Sequence, residues 1–354
     1  MKRINPNKSE SEASRELNDL CLMLENDDLG KAFYNRLTSQ SDFRFIDFEN
    51  FDNNSFNVVT ELTYKNGEDE FRPDITLLIN GFPLIFIEVK KPNNPDGILA
   101  ERERINTRFS NPKFKRFINI TQLMIFSNNM EYEDGASEPL QGAFYASTSY
   151  GKPIFNYFRE EHKLDLQKVL LPINIELETS ILKDNNLEAI RTSPEFATNK
   201  STDTPTNRIC TSVLSKERLA FMLRYSIAYV SEREGIQKHV MRYPQLFATK
   251  AIENKLESGV NKGIVWHTQG SGKTALAYYN VKYLIDYFHR KRIIPKFYFI
   301  VDRIDLLTQA QSEFLSRGLI VHTMDSRDDF AKDIRSNKAI HNDSGLPEIT
   351  VVNI

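Results

Sequence analysis

The sequence predicts an α/β chain made of two units in series, and three observations carry that prediction. An N-terminal helical stretch is followed by several strand-like apolar runs, two of which meet at Asn80-Gly81 as a hairpin. Near residue 270 a short apolar run, a glycine-rich loop and an amphipathic helical stretch follow one another directly. Further on, strand-like and helical runs alternate, the pattern of a parallel, doubly wound sheet. With 354 residues the chain is long enough for two domains, each burying its own core.

Periodicity predicts helices over residues 11–24 and 29–37, then strand-like runs up to about residue 180. From about 180 to 212 the chain turns polar and turn-rich, with Pro194 and Pro205 among Ser, Thr and Asn. We therefore expect a first domain over 1–180, a connector over 181–214 and a second domain over 215–354. Helical periodicity returns in SKERLAFMLRYSIAYV, residues 215–230. In the second domain, residues 263–266 read as an apolar strand entering the glycine-rich loop and 275–288 as the helix leaving it. KFYFIV, 296–301, reads as a buried parallel strand, 304–314 as a helix, and 349–352 as a further strand.

The loop itself is HTQGSGKT, His267 to Thr274. A glycine-rich turn between strand and helix lets backbone N–H groups close around phosphates, while Lys273 brings a point charge and Thr274 a hydroxyl for Mg²⁺. Thr268, Gln269, Gly270, Ser271, Gly272, Lys273 and Thr274 are thus candidate nucleotide contacts. His267 stands where the strict GxxxxGK[ST] pattern has its first glycine.

The hairpin RPDITLLINGFPLIFIEVKKP carries a second constellation. Asp74 opens its first strand; Glu88 and Lys90 close its second and share a face, because side chains alternate along a strand. Two carboxylates converging from neighbouring strands can hold Mg²⁺, a hard ion that prefers oxygen, and a nearby lysine can steady or deprotonate a water. Register decides whether they converge. A two-residue turn pairing Ile79 with Phe82 puts Asp74 opposite Ile87, with Glu88 on the other face. A three-residue loop, or a bulge, restores Asp74 opposite Glu88 with Cβ atoms about 5 Å apart. The chemistry requires the second arrangement. The bland alternative is a strand cap and solvent-facing charges at a strand end.

Between Glu101 and Ile118 six basic residues stand against two acidic ones, interleaved with Phe109, Phe114 and Phe117. Arg102, Arg104, Arg108, Lys113, Lys115 and Arg116 are candidate DNA contacts, although a solvated helix face reads the same. The overall charge of −2 does not single out nucleic acid, and hydrophobic and charged fractions of 40% and 27% are those of a soluble globular protein. No apolar run approaches the roughly 18 residues that span a bilayer. The N-terminus lacks a signal-peptide core, so a cytoplasmic location without membrane association is expected. Cys21 and Cys210 lie far apart without metal spacing and read as packing residues.

Taken together in their order, these motifs resemble the restriction (R, or HsdR) subunit of type I restriction-modification enzymes. RPD…NGFPLIFIEVKKP is similar to that family's PD-(D/E)xK nuclease motif, with Asp74, Glu88 and Lys90 in its catalytic positions. MRYPQ, 241–245, looks like the element carrying the adenine-reading glutamine of superfamily 2 motors, here Gln245. WHTQGSGKT matches the family's P-loop, including His267, and FIVDRIDLLTQ resembles motif Ia, which makes Arg303 a candidate DNA contact. The resemblance implies a PD-(D/E)xK nuclease-like mixed sheet flanked by helices, followed by a partial RecA-like parallel α/β motor domain. It further implies Mg²⁺ and ATP as cofactors, and double-stranded DNA and methyltransferase and specificity subunits as partners. The implied activity is ATP-dependent translocation coupled to endonucleolytic cleavage.

Two departures accompany the resemblance. The QxxxY pattern that family members often carry is absent from the helix around 101–109, and Gln122 with Phe126 has its spacing but ends in phenylalanine. No DEAD-like Walker B box or second RecA-like domain is present, which implies very slow hydrolysis by these residues alone. Two rivals follow: a motor whose first domain is a non-cleaving DNA-binding or assembly module, and a P-loop kinase or GTPase unrelated to nucleic acid. The second leaves the Gln245 and Arg303 segments unexplained.

Overall fold

The computed structural model describes all residues except 40, 93–95, 133–140, 163–165, 171, 269, 325, 337–346 and 354. Contacts divide the chain into two compact units, Met1–Arg224 and Tyr225–Ile354. Both combine helices with sheets.

The first unit opens with helices α1 (Glu10–Met23) and α2 (Lys31–Thr38). A capping box starts α1: the Glu12 N–H donates to Ser9 Oγ and the Ser9 N–H to Glu12 Oε2, satisfying two amides that have no helical partner. Six strands form a mixed sheet: β1 (Phe56–Thr60), β4 (Ile75–Ile79), β5 (Phe82–Val89), β6 (Leu123–Ser127), β7 (Ala143–Ala146) and β8 (Asn156–Tyr157), in that spatial order. The strands β2 (Tyr64–Asn66) and β3 (Asp69–Phe71) make a separate antiparallel ribbon. Neighbours in the large sheet are antiparallel except β5 and β6, which run parallel. A parallel pair needs a crossover, and here α3 (Gly97–Phe109) and α4 (Lys115–Ile120) supply it. Between β5 and β6 the sheet is buried, with Leu84, Ile85, Phe86 and Leu123 to Phe126 all at most 2% exposed.

The β4–β5 hairpin has the two-residue turn and also the corrected register. Asn80 and Gly81 take φ of 52° and 87°, the left-handed pair that a tight hairpin turn demands. Asn80 is fastened there: its Nδ2 donates to the Phe45 carbonyl at 2.9 Å and its Oδ1 accepts from the Ser55 N–H at 2.8 Å. Ile79 faces Phe82 and Leu78 faces Pro83, but Leu77 faces Ile85, so Leu84 is an extra residue in β5. Its carbonyl turns to the far neighbour and accepts from the Gln122 N–H at 2.7 Å. The bulge shifts everything beyond it by one residue. Ile75 pairs with Ile87, and the next positions out are Asp74 and Glu88.

The polar stretch after 174 holds α6 (Ile175–Asp184), α7 (Pro194–Asn199) and α8 (Pro205–Leu214), after the short α5 (Leu166–Val169). Ile209 and Val213 of α8 are fully buried within the first unit. Helix α9 (Lys216–Tyr225) ends earlier than its periodicity predicts: residues 227–230, IAYV, belong to strand β9 (Ile227–Glu232), which pairs with β10 (Gly235–Val240). A short continuous apolar run fits either a buried helix or a strand, and the hairpin partner decides it.

In the second unit α10 (Tyr243–Glu257) and α11 (Lys273–Arg290) precede a three-stranded parallel sheet of β11 (Tyr298–Val301), β12 (Ile320–Thr323) and β13 (Glu348–Asn353), ordered β11-β13-β12. Helices α12 (Ile304–Ser316) and α13 (Arg327–Arg335) make the crossovers. Residues 263–266, expected as a strand, form none; Ile264 and Trp266 are 91% and 90% exposed. Four apolar residues make a strand only when a neighbour completes the ladder, and among the described residues none pairs with them. Cys21 is exposed on α1 rather than packed, whereas burial pushes the Cys210 thiol up to about 12.

Candidate functional site: a carboxylate–lysine cluster and a glycine-rich loop

The first cluster sits where β4 begins and the parallel pair β5–β6 ends. Asp74 precedes β4 and is half-buried; its Oδ2 accepts the Val89 N–H across the hairpin at 2.8 Å, which holds the carboxylate toward the end of β5. Glu88 is 4% exposed and its Oε1 has no hydrogen-bond partner among the described residues. Lys90 follows directly after β5, its N–H donating to the Ser127 carbonyl at 2.8 Å. Its ammonium lies 3.4 Å from Glu88 Oε2 and 3.1 Å from Glu101 Oε2. Asp74, Glu88 and Lys90 are therefore brought to one end of the sheet.

Burial dominates the electrostatics. It pushes the Glu88 carboxyl up to about 7, with the charges of Glu101 and then Asp74 adding to the rise and Lys90 opposing it. Burial also pulls the Lys90 ammonium down, but Glu101 and Glu88 outweigh it and the group is held above its ordinary value. The two carboxylates thus favour the charged form of Lys90. An uncoordinated, buried carboxylate oxygen beside a second carboxylate is the donor chemistry that suits a hard divalent cation. Among the described residues no group of three or more His, Cys, Asp or Glu is arranged as a ready-made cage.

Glu101 escaped the sequence reading. It is 1% exposed on α3, and its Oε2 also accepts from Arg104 Nη1 at 2.8 Å. In the sequence it is one of two glutamates in a basic run and looks like a surface charge. Helical spacing offered a signal: Glu101, Ile105 and Phe109 share the buried face of α3.

The basic run does not stand as a bare positive stripe. Arg102 lies 3.8 Å from Glu103, Lys115 3.0 Å from Asp27 and Arg116 3.0 Å from Glu25, and Lys113 is bonded to Asp69. Arg104 and Arg108 both face Glu101, and Arg108 also stacks 4.1 Å from the Phe71 ring centre. Exposed pairs of this kind contribute little and exchange readily for other anions; Arg108, half-buried over the ring, is a packing residue. Gln122 is fully buried, its amide donating to the Asn119 and Ile120 carbonyls, so it serves the turn into β6.

The second cluster lies in the other unit. Gly270 and Gly272 take φ of 77° and 82°, and the Ser271 N–H and hydroxyl both reach the Thr268 carbonyl. Lys273 begins α11 and donates to the His267 and Thr268 carbonyls at 3.4 and 3.1 Å, curling the loop around its ammonium; Thr274 follows it on the first turn. Gln269 lies outside the described residues. Gln245, on the first turn of α10, docks on this loop. Its Oε1 accepts the Arg242 N–H at 2.9 Å, and its Nε2 donates to the Gly272 carbonyl at 3.1 Å. The contact is close enough that a Cβ on Gly272 would sit 2.5 Å from Gln245 Nε2. Arg303, the residue before α12, is exposed and paired with Asp305.

Comparison with known proteins adds two family matches. Residues 1–137 match the model of the type I restriction enzyme R protein N terminus, and residues 244–342 match that of the SWI2/SNF2 ATPase. A Methanocaldococcus jannaschii protein, provisionally named as the type I restriction enzyme MjaVIIP endonuclease subunit, is 28% identical over 281 residues. That alignment covers 76% of this chain and 22% of the relative. Type I restriction enzyme endonuclease subunits of Staphylococcus aureus strain COL and Staphylococcus saprophyticus are each 27% identical, over 80% and 79% of this chain and 25% and 24% of their own length. The chain thus spans between a fifth and a quarter of the length of these relatives. No helix among the described residues is long and apolar enough to cross a membrane.

Proposed function

We propose that this chain, whose residues 1–137 match the model of the type I restriction enzyme R protein N terminus and whose residues 244–342 match that of the SWI2/SNF2 ATPase, carries the nuclease site and the nucleotide loop of a restriction subunit. Its reaction is Mg²⁺-dependent endonucleolytic cleavage of double-stranded DNA, coupled in the longer protein to ATP-driven translocation. Residues 1–180 form a PD-(D/E)xK nuclease domain, 181–214 a connector that packs into the same compact unit, and 215–354, of which residues from Tyr225 on are the second unit, the first part of a RecA-like motor. The observation that carries the cleavage reading is the Leu84 bulge, which sets Asp74 in register with Glu88 beside Lys90.

In this reading Asp74 and Glu88 hold the metal, which when bound supplies Lewis-acid activation of the scissile phosphate and of a water. Lys90 keeps its proton, because Glu101 and Glu88 hold it charged, and it stabilises the negative charge that develops on phosphorus-bound oxygen. Asp74 needs no rearrangement to take part, since the Val89 N–H fixes it. Gln245, Thr268, Gln269, Gly270, Ser271, Gly272, Lys273 and Thr274 bind ATP, with the Lys273 ammonium exchanging loop carbonyls for phosphate oxygens and the Thr274 hydroxyl turned to Mg²⁺. Arg102, Arg104, Lys113, Lys115, Arg116 and Arg303 meet DNA phosphates by exchanging their carboxylate partners. Methyltransferase and specificity subunits are the partners, and the cytoplasm is the location.

The test is Mg²⁺-dependent nicking of a supercoiled plasmid by the full-length protein in its complex. Asp74→Ala is expected to lower the rate by at least about 100-fold. Unchanged cleavage in that variant would mean that this domain binds DNA or assembles the complex without cutting.

A further inference from the structure

Resting on the nuclease reading above, we propose that Glu101 is a positioning residue of the same site: its buried carboxylate holds the Lys90 ammonium beside Glu88 and leaves Glu88 an oxygen free for the metal. Lys90 extends from the end of β5 on a chain with four rotatable bonds, and holding such a side chain in one place costs rotamer entropy. Two carboxylates hold it, Glu88 at 3.4 Å and Glu101 at 3.1 Å. With Glu88 as the sole anion, the ammonium would close on that carboxylate and compete for the oxygens that coordination requires. The second anion draws it off, and Glu88 Oε1 stands without a partner among the described residues.

Glu101 is itself held for this task. It projects from α3, the crossover helix behind β5, and Arg104 one turn later on the same helix grips the oxygen that faces Lys90 at 2.8 Å. A purely structural role explains the site less well. An exposed arginine at i+3 needs no carboxylate that is 1% exposed, and burying a glutamate is costly unless something inside requires its charge. Of the cations on the inner side, Lys90 lies 3.1 Å from the carboxylate and Arg108 3.9 Å, so Lys90 makes the closer pair.

Single-turnover plasmid cleavage by the full-length protein, titrated with Mg²⁺, tests this in Lys90→Ala, Glu101→Gln, Glu101→Asp and the Lys90→Ala/Glu101→Gln double variant. Glu101→Gln is expected to cleave about 10- to 100-fold more slowly, with Mg²⁺ half-saturation raised at least about threefold, because the ammonium then competes for Glu88, and with DNA KM within about twofold of the parent. Glu101→Asp should recover part of the rate, and the double variant should be no slower than Lys90→Ala alone, because both changes remove one interaction. Parental cleavage by Glu101→Gln while Lys90→Ala is inactive overturns the role of Glu101 and leaves the nuclease reading standing. So does a double variant in which the two losses multiply, or a Mg²⁺ half-saturation in Glu101→Gln that equals the parent's. Parental rates in Lys90→Ala and Asp74→Ala alike overturn the nuclease reading itself. Should Glu101→Gln melt well below the parent, Glu101→Asp is judged by the same criteria.

Discussion

At Glu88 two opposing demands meet on one carboxyl group. Its position at the end of a buried strand removes it from water, which favours the protonated form; its proposed task requires the charged one. Burial, and after it the charges of Glu101 and Asp74, raise the group to about 7 against 4.5 for an ordinary glutamate. The folded protein therefore binds this proton more tightly than the unfolded chain does. The associated stability is fully present below about pH 4.5 and is lost as pH rises to about 7. Glu88→Gln removes the titration. Urea unfolding in chelator should show the variant gaining on the parent across that window by on the order of 3 kcal/mol. Parallel stability curves would contradict the burial argument. Metal binding at the site should correspondingly weaken as pH falls below 7, because the proton and the cation compete for one carboxylate.

Among the elements, the glycine-rich loop and the first turn of α10 form one unit. Gly272 adopts a φ of 82°, and any Cβ there would strike the Gln245 amide at 2.5 Å. Gly272→Ala combines backbone strain of about 1–3 kcal/mol with displacement of that amide. It should weaken binding of a fluorescent ATP analogue at least about tenfold, and binding at parental affinity would show that the Gln245 contact does not shape the loop. The hairpin makes the same point about neighbours. Asn80-Gly81 is legible as a tight turn, because Asn and Gly tolerate the left-handed backbone such turns require. The bulge at Leu84 is not legible. Nothing distinguishes that leucine from Ile85 or Ile87 in the sequence; its carbonyl turns outward to the Gln122 N–H of the next strand connection, a partner 38 residues away in the chain. Without that one inserted residue Glu88 would point to the opposite face from Asp74.

Over the whole molecule the two candidate sites lie in different compact units, Asp74, Glu88, Lys90 and Glu101 in one and Gln245 with the loop in the other. Separate cores predict separable losses. Lys273→Ala should abolish ATP binding in the full-length protein while leaving the pH-dependent Glu88 contribution to stability in place; loss of both together would show that the units do not hold their sites independently. By itself the sequence determined the α/β class, the hairpin, the glycine-rich loop and the identity of the acids and the lysine, because these follow from local periodicity and from residue types that only certain backbones accept. Only tertiary structure decided the rest. It formed β9 from an apolar run that reads as helix, left residues 263–266 without a strand partner among the described residues, gave each cation of the basic run a carboxylate neighbour, and buried Glu101 against Lys90. Each of these depends on which distant segment lies opposite, and a strand's register, a charge's partner and a carboxylate's burial are properties of pairs.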